Sequence, residues 1–275
     1  MLRRKKTNAA CQFAIDSGAF YTRFYSTTHG LLFEQPSIAV LDMDHPIGGS
    51  KAVNSFGDEA EALIQRELDG LRSINPVQSD QHNDLGLRAK MLCYFLAATT
   101  RAGVISRSPS ISLMLNQDCS PITRARLSHA CTTAGARSIE IQDAATAAFY
   151  GTQLASSQPC IMIDFGASGS RMFAIENGKV VHQQNLFCGG DAFDSAIVDG
   201  MLERFNLFIS NSRAREIKHS VAAATPQSIV QYTNDSQQVD CLSVKTNTMT
   251  RFTVSSTKPV SKSVVAVRCY REWIN

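Results

Sequence analysis

An α/β fold built from two related halves is what this sequence predicts, and three observations carry the expectation. Apolar runs of strand length alternate with stretches of helical periodicity along most of the chain. An apolar run ending in Asp, then one residue and a Gly, occurs twice: Phe13-Ala14-Ile15-Asp16-Ser17-Gly18 and Cys160-Ile161-Met162-Ile163-Asp164-Phe165-Gly166, about 150 residues apart. The composition is that of an ordinary globular protein, 44% hydrophobic and 19% charged over 275 residues. A chain of that length buries a sizeable core in one large domain or two smaller ones.

The elements follow in order. Cys11 to Phe24 reads as a strand, a tight glycine-containing turn and a return strand. Leu31 to Leu41 reads as two short strands interrupted at Pro36. Asp58 to Leu68 has helical spacing, with Ala60, Leu63, Ile64 and Leu68 on one face. Ser73 to Asp84 is polar, contains a Pro and reads as a loop. Leu85 to Thr100 predicts a helix with Leu87, Met91, Leu92, Phe95 and Leu96 as its apolar stripe. Ser110 to Leu115 is a strand, and Ser120-Pro121 marks a helix start, Ser as N-cap and Pro at the first helical position, running to about Ala134 before Gly135. Ser138 to Ile141 is a short strand, and Ala144 to Leu154 a helix of small residues.

The pattern then restarts with the strand ending at Asp164. Arg171 to Glu176 and Lys179 to His182 form the next strands, joined by the turn pair Asn177-Gly178. Cys188-Gly189-Gly190-Asp191 opens a helix from Ala192 to about Phe205, and Arg213 to Ala223 is another, with Ile217 and Val221 four residues apart. Beyond Pro226 the chain is rich in Ser, Thr, Val and Gln, and alternation in Gln238 to Val244 and Thr250 to Ser255 reads as strands.

Charge and cysteine usage exclude several functions. The net charge of +3 is small, and no concentrated basic stripe of a nucleic-acid binder is present. Cys11, Cys93, Cys119, Cys131, Cys160, Cys188, Cys241 and Cys269 form no CxxC pair and no metal-spaced cluster with the dispersed histidines, which argues against zinc and for reduced thiols in a reducing cytoplasm. The start has the basic run Arg3-Arg4-Lys5-Lys6 but no apolar secretory region, and no stretch reaches bilayer-spanning length. The expectation is a soluble protein, at most peripheral on a membrane.

The repeated Asp-x-Gly units carry the chemistry. Glycines let backbone amides approach phosphate oxygens, so two such units facing each other clamp a polyphosphate between half-domains. The carboxylates of Asp16 and Asp164 would hold Mg²⁺ through its water shell, since Mg²⁺ favours a few carboxylates plus phosphate. Each also has a plain alternative, because Asp commonly caps turns at strand ends. Asp143 likewise suits an N-cap of the following helix.

Several ordered blocks resemble the MreB/Mbl rod-shape-determining family of the actin, sugar-kinase and heat-shock-chaperone superfamily. They are Ala14 to Gly18, Phe33 to Ile38, Arg107 to Ser110, Ala134 to Arg137, Asp143 to Ala148, Ile163 to Gly166, Gly189 to Ile197 and Arg215 to His219. The resemblance implies an actin-like ATPase fold of duplicated ribonuclease H-like units, halves at 1–155 and 156–275, and a chain shortened at its C-terminus, stopping at Asn275 before the family's last adenine-contacting loop and closing helix. It also implies ATP and Mg²⁺ as cofactors, filaments of self-associated copies that determine cell shape, and a cytoplasmic location peripheral to the inner membrane beside cell-wall elongation proteins. The nucleotide-binding residues it implies are Asp16, Ser17, Gly18, Ala19 and Thr22 in the first loop, and Asp164, Gly166, Ala167, Ser168, Gly169 and Ser170 in the second. Gly189, Gly190, Asp191, Arg215 and Lys218 complete that set; Asp16 and Asp164 are the metal carboxylates and Asp143 orients the attacking water.

The departures from the family pattern are specific. Ala19 and Tyr21 stand where the first loop has a hydroxyl residue and an Asn. Gly166-Ala167-Ser168-Gly169-Ser170 replaces a glycine run followed by paired Thr. Asp143 replaces a Glu, one methylene longer, and Arg215 reverses the charge of a Glu near the ribose. Two readings therefore stand side by side: a weak Mg-dependent ATPase, or a non-hydrolysing structural or regulatory paralogue of the same fold. A chaperone-like ATPase fits less well, because no substrate-binding domain follows the blocks.

Overall fold

The computed structural model describes residues 13–47, 50–64, 66, 70–77, 85–105, 107–116, 119–152, 154, 158–186, 188–221, 236–246 and 248–255. The basic run Arg3 to Lys6, Cys11, Leu68, the stretch 78–84, Ala222-Ala223 and Cys269 lie outside them. The chain divides into two compact units, Met1–Ile163 with Met172–Gln184, and Asp164–Arg171 with Asn185–Asn275.

Unit 1 is organised on a five-stranded sheet in the order β3-β2-β1-β7-β8, from β1 (Phe13–Ser17), β2 (Tyr21–Ser26), β3 (Gly30–Pro36), β7 (Ser110–Leu115) and β8 (Ser138–Asp143). Strands β1 and β2 pair antiparallel, while β1, β7 and β8 run parallel. Ser110 to Leu115 is almost wholly buried, as expected of a parallel strand covered on both faces, and this explains its near-continuous apolar run. The connection from β7 to β8 is helix α3 (Pro121–Thr133), started by Ser120, whose hydroxyl accepts from the Thr123 amide at 3.1 Å. Helix α2 (Leu85–Arg101) buries the whole expected stripe, Leu87, Met91, Leu92, Phe95 and Leu96, together with Ile15, Phe24, Ile111, Leu113, Leu115 and Leu127. Burial pushes the thiol of Cys131, on α3 in this core, up to about 12, so it stays protonated and unreactive.

A second sheet in unit 1, ordered β5-β4-β6, corrects the sequence reading. Strand β4 (Ala39–Ile47) runs past Leu41, and β5 (Ser50–Phe56) and β6 (Leu71–Ile74) flank it antiparallel. Ser73 is therefore in a strand and not a loop. Four residues, Leu-Arg-Ser-Ile, are too few to show a period, and Arg72 and Ser73 face solvent. Helix α1 is also shorter than expected, Gly57–Ile64.

Helix α4 (Ala144–Gly151) packs Ala145 and Phe149 against Phe173 and Ile175. Those two lie on a third sheet, ordered β11-β10-β9, of β9 (Cys160–Phe165), β10 (Ser170–Glu176) and β11 (Lys179–Leu186). Asn177 and Gly178 both take positive φ, 52° and 71°, as a type I′ hairpin turn requires.

In unit 2, helix α5 (Gly190–Phe205) and helix α6 (Asn211–Val221) pack with a sheet ordered β12-β13-β14. Its strands are β12 (Leu207–Phe208), β13 (Ser236–Ser243) and β14 (Thr248–Ser255), so both strands expected in the polar tail are present. Ile197, Met201, Leu207, Ile209, Ala214, Ile217 and Cys241 form this unit's core.

Phe95 meets Phe33, Phe56 and Tyr94 at ring-centroid distances of 5.3, 6.4 and 5.9 Å. Phe95→Ala leaves a cavity among three rings that cannot collapse together, and a loss of about 3–5 kcal/mol is expected, read as a lower urea midpoint. Phe95→Leu should lose markedly less.

Candidate functional site

Each Asp-x-Gly segment folds into a closed turn, one in each unit. Between β1 and β2 the Gly18 amide donates to the Tyr21 carbonyl at 3.1 Å; between β9 and β10 the Gly166 amide donates to the Gly169 carbonyl at 3.0 Å. The same bond at the same step makes the sequence repeat a structural one. A side chain at Gly166 would put Cβ 2.7 Å from the Gly169 carbonyl oxygen, so the second turn closes only on glycine.

In unit 1 the first turn is clasped from outside. The Ser37 hydroxyl donates to the Gly18 carbonyl at 2.7 Å, its amide donates to the Phe20 carbonyl at 2.8 Å, and its Oγ lies 3.0 Å from Thr22 Oγ1. Asn75 adds a side-chain donor to the Ala19 carbonyl. Thr22 is 0% exposed, so its hydroxyl serves this clasp.

The parallel strands bring distant carboxylates together. Asp16 is in register with Met114, and Met114 with Gln142, the neighbour of Asp143. Asp16 and Asp143 thus sit at the carboxyl edge of one sheet, two strands apart, about 10 Å between backbones at the usual spacing. Ligands of open α/β sheets bind beyond that edge. The Asp143 carboxylate is engaged as the N-cap of α4: its Oδ2 accepts from the Thr146 amide at 2.9 Å and from the Thr146 hydroxyl at 2.7 Å.

Sequence reasoning missed Arg88 at this edge. Its Nη2 donates to the Ser17 carbonyl at 3.0 Å, and its Nε lies 3.4 Å from Ser17 Oγ. Burial is the largest influence on this guanidinium and pulls its pKa down, while the charges of Cys119 and Asp16 act in the opposite direction. The signal was available, since Arg88 precedes Leu92 by four residues and Phe95 by seven, a cation on the apolar face of α2.

In unit 2 the second turn docks on the start of α5. The Gly190 amide donates to the Gly166 carbonyl at 3.0 Å and the Asp191 amide to the Ala167 carbonyl at 2.9 Å, so the turn itself satisfies the first orphan donors of the helix. A Cβ at Gly189 would fall 2.4 Å from the Ala167 oxygen and 2.5 Å from the Gly169 nitrogen. Ser170 is buried and donates to the Cys188 carbonyl at 2.6 Å. Ser168 lies within the turn, and Asp164 is exposed with Arg171 Nη2 3.9 Å away.

Behind this turn lies a network of four charges. Arg215 reaches Asp191 Oδ1 through Nη2 and Asp194 Oδ2 through Nε, both at 3.1 Å. Lys218 Nζ lies 2.7 Å from Asp194 Oδ1 and donates to the Gly190 carbonyl at 2.9 Å. Asp194, only 1% exposed, was not singled out from sequence. The clue is reciprocal spacing, Asp191/Asp194 on α5 and Arg215/Lys218 on α6, each three residues apart. Asp191 has its pKa raised: burial outweighs the stabilising guanidinium of Arg215, and the Asp194 charge adds to the rise.

Among the described residues no group of three or more His, Cys, Asp or Glu is gathered for a metal. Mg²⁺ needs fewer protein ligands than that; Arg88 is fastened to Ser17, the residue next to Asp16, and Arg171 Nη2 lies 3.9 Å from Asp164 Oδ2.

Three substitutions separate these roles. Asp194→Asn leaves two half-buried cations short of their buried counter-charge, and a loss of up to about 3 kcal/mol is expected in denaturant unfolding. Asp191→Asn should cost far less and make stability fall more steeply towards acid pH. With a raised folded pKa, stabilisation from protonating Asp191 is complete below its ordinary value and fades as pH rises through the raised one. Asp143→Ala removes a helix cap and should cost about 1 kcal/mol, recovered in Asp143→Ser.

Comparison with known proteins agrees with the geometry. The family model described as MreB/Mbl protein matches residues 10–267. The cell shape-determining protein MreB of Escherichia coli is 24% identical over 228 residues, which cover 82% of this chain and 65% of that protein. The cell shape-determining protein Mbl of Bacillus subtilis is 22% identical over 219 residues, covering 79% and 64%. The chain thus spans about 65% of the length of the curated relatives it matches. Among solved structures, MreB5 of Spiroplasma citri bound to ADP superposes with a TM-score of 0.79 at 16% identity, covering 95% of this chain and 75% of that one. The MamK double helical filament gives 0.63 at 18% identity, with 95% and 78% covered. These likenesses establish the actin-like fold.

Proposed function

This chain belongs to the MreB/Mbl protein family, and from that premise we propose that it is an actin-like protein that binds ATP at its two glycine turns and assembles with further copies into filaments that determine cell shape. The observation that carries the reading is the recurrence of one closed turn, Gly18 onto Tyr21 and Gly166 onto Gly169, after the two repeated aspartates. Backbone at such turns approaches phosphate oxygens closely, and a structural neighbour is bound to ADP. Ser17, Gly18 and Ala19 in one turn, and Gly166 to Ser170 in the other, are the residues proposed to face the phosphates. Arg215 and Lys218 are proposed to act through the Asp191–Asp194 network, holding the start of α5 under the second turn.

Hydrolysis is proposed to be slow. The carboxylate that would orient water, Asp143, already takes two hydrogen bonds on one oxygen as a helix cap, and small misplacements of such a group are costly. The same observation favours the second reading, a non-hydrolysing structural or regulatory paralogue. The basic run Arg3 to Lys6 is proposed to draw filaments to an anionic inner-membrane surface, near cell-wall elongation proteins, each cation contributing about 1 kcal/mol.

Heat denaturation with and without ATP tests the binding step. A ligand at about 100 times its Kd stabilises by about 2.7 kcal/mol, and an unchanged melting temperature at saturating ATP would sink the reading. Phosphate release separates the two alternatives, and pelleting that depends on ATP is the result expected of a filament former.

A further inference from the structure

An antiparallel sheet with one face on a core ordinarily turns polar side chains outward on the other. The β12-β13-β14 sheet of unit 2 departs from this. Strand alternation turns Leu207 into the core and Phe208 away from it, 50% exposed. Phe208 is in register with Leu242, and Leu242 with Met249, so one apolar row crosses all three strands on the outer face. Met249 is 69% exposed. Single exposed apolar residues are commonplace, but a row across a whole sheet marks a contact surface. The next row on the same face is charged. Asp240 is in register with Arg251, and its Oδ1 accepts from Arg251 Nε at 2.9 Å. Both side chains are exposed, so within one copy the pair adds little to stability.

The order of these charges limits what can cover the face. A partner must offer a cation to Asp240 and an anion to Arg251, side by side, next to an apolar row. The same face of another copy does so. A two-fold axis running along the strands, midway between β13 and β14, exchanges those two strands. It sets each Leu242 over the second copy's Met249 and each Asp240 over the second copy's Arg251. Two pairs then close a ring of four alternating charges, with no like charges facing. Sheets pack face to face about 10 Å apart with their strands nearly aligned, a gap that Asp and Arg span from opposite sides. We propose that this face is a two-fold contact with a second copy of the chain, with Leu242 and Met249 at its centre, Asp240 and Arg251 cross-paired beside them and Phe208 at the rim. The inference goes beyond the reading above and does not depend on nucleotide. Three short strands cover less than the roughly 1,600 Å² of a standard interface, so the contact is weak and forms where copies are concentrated.

Sedimentation velocity of the whole chain without nucleotide, from about 5 to 500 µM, reads this contact. A shift from monomer to dimer across that range is expected, and growth stops there because a two-fold contact closes on two copies. Met249→Lys puts a cation into each half of the apolar centre and should raise the dimer Kd at least about tenfold. Asp240→Arg gathers four like charges and should do the same. Adding Arg251→Asp to it restores opposite charges and should return the Kd to within about threefold of wild type. All three positions are exposed, and melting temperatures check that the variants fold. A monomer at every concentration overturns the proposal and leaves the face to a partner of another kind. Self-association that none of the variants changes lies on another surface and overturns it too. So does a double variant that dimerises no better than Asp240→Arg. ATP binding and ATP-dependent pelleting are read separately, so their failure and the failure of this contact are distinguishable.

Discussion

Close backbone approach at the turn following each repeated Asp is the constraint on which the rest of the described architecture depends. At the second turn the requirement is severe. Gly189 passes so near Ala167 and Gly169 that a single methyl group would collide with main-chain atoms, and such contacts cannot be relieved by rotating a side chain. Two helix-start amides are then satisfied by the turn's own carbonyls. The turn and the start of helix α5 are therefore tied together through their backbones, and Ser170 is fastened to the Cys188 carbonyl. At the first turn the same closure is held by hydroxyls and an amide, from Ser37, Thr22 and Asn75.

Around these turns the chain balances its own charges. Asp191 and Asp194 are met by Arg215 and Lys218, Asp16 has Arg88 nearby, and Asp164 has Arg171. Where the family pattern sets a Glu near the ribose, Arg215 instead cross-links two helices. A network of this kind, centred on one buried carboxylate, adds little net stability compared with apolar packing, but it is intolerant of losing that member. The departures at Asp143 and Arg215 thus have local physical explanations: one caps a helix and the other ties α6 to α5.

Much of the fold was legible in the sequence because the central elements are long enough to show a period. The α2 stripe, the buried run of β7, the Ser120 cap and the Asn177-Gly178 turn each follow from residues within a few positions of one another. The β5-β4-β6 sheet was only partly legible: β4 was read as far as Leu41, and the four residues of β6 are too few to show a period. Of the candidate site, the glycines and aspartates of the turns were readable as a repeat. Arg88 and Asp194 were passed over, although each stands as a charge at a helical position otherwise given to core residues.

By itself the sequence determined the α/β class, the family and the two turns, because those rest on local propensity, repetition and glycine placement. Only tertiary structure decided which charges meet. Parallel pairing of β1, β7 and β8 carries Asp143 to the edge occupied by Asp16, though the two are far apart along the chain. The packing of α5 on α6 sets Arg215 between two carboxylates. The direction of one helix delivers Arg88 to Ser17. Electrostatic partnership depends on distance and burial, and neither is written in the spacing of residues along a chain.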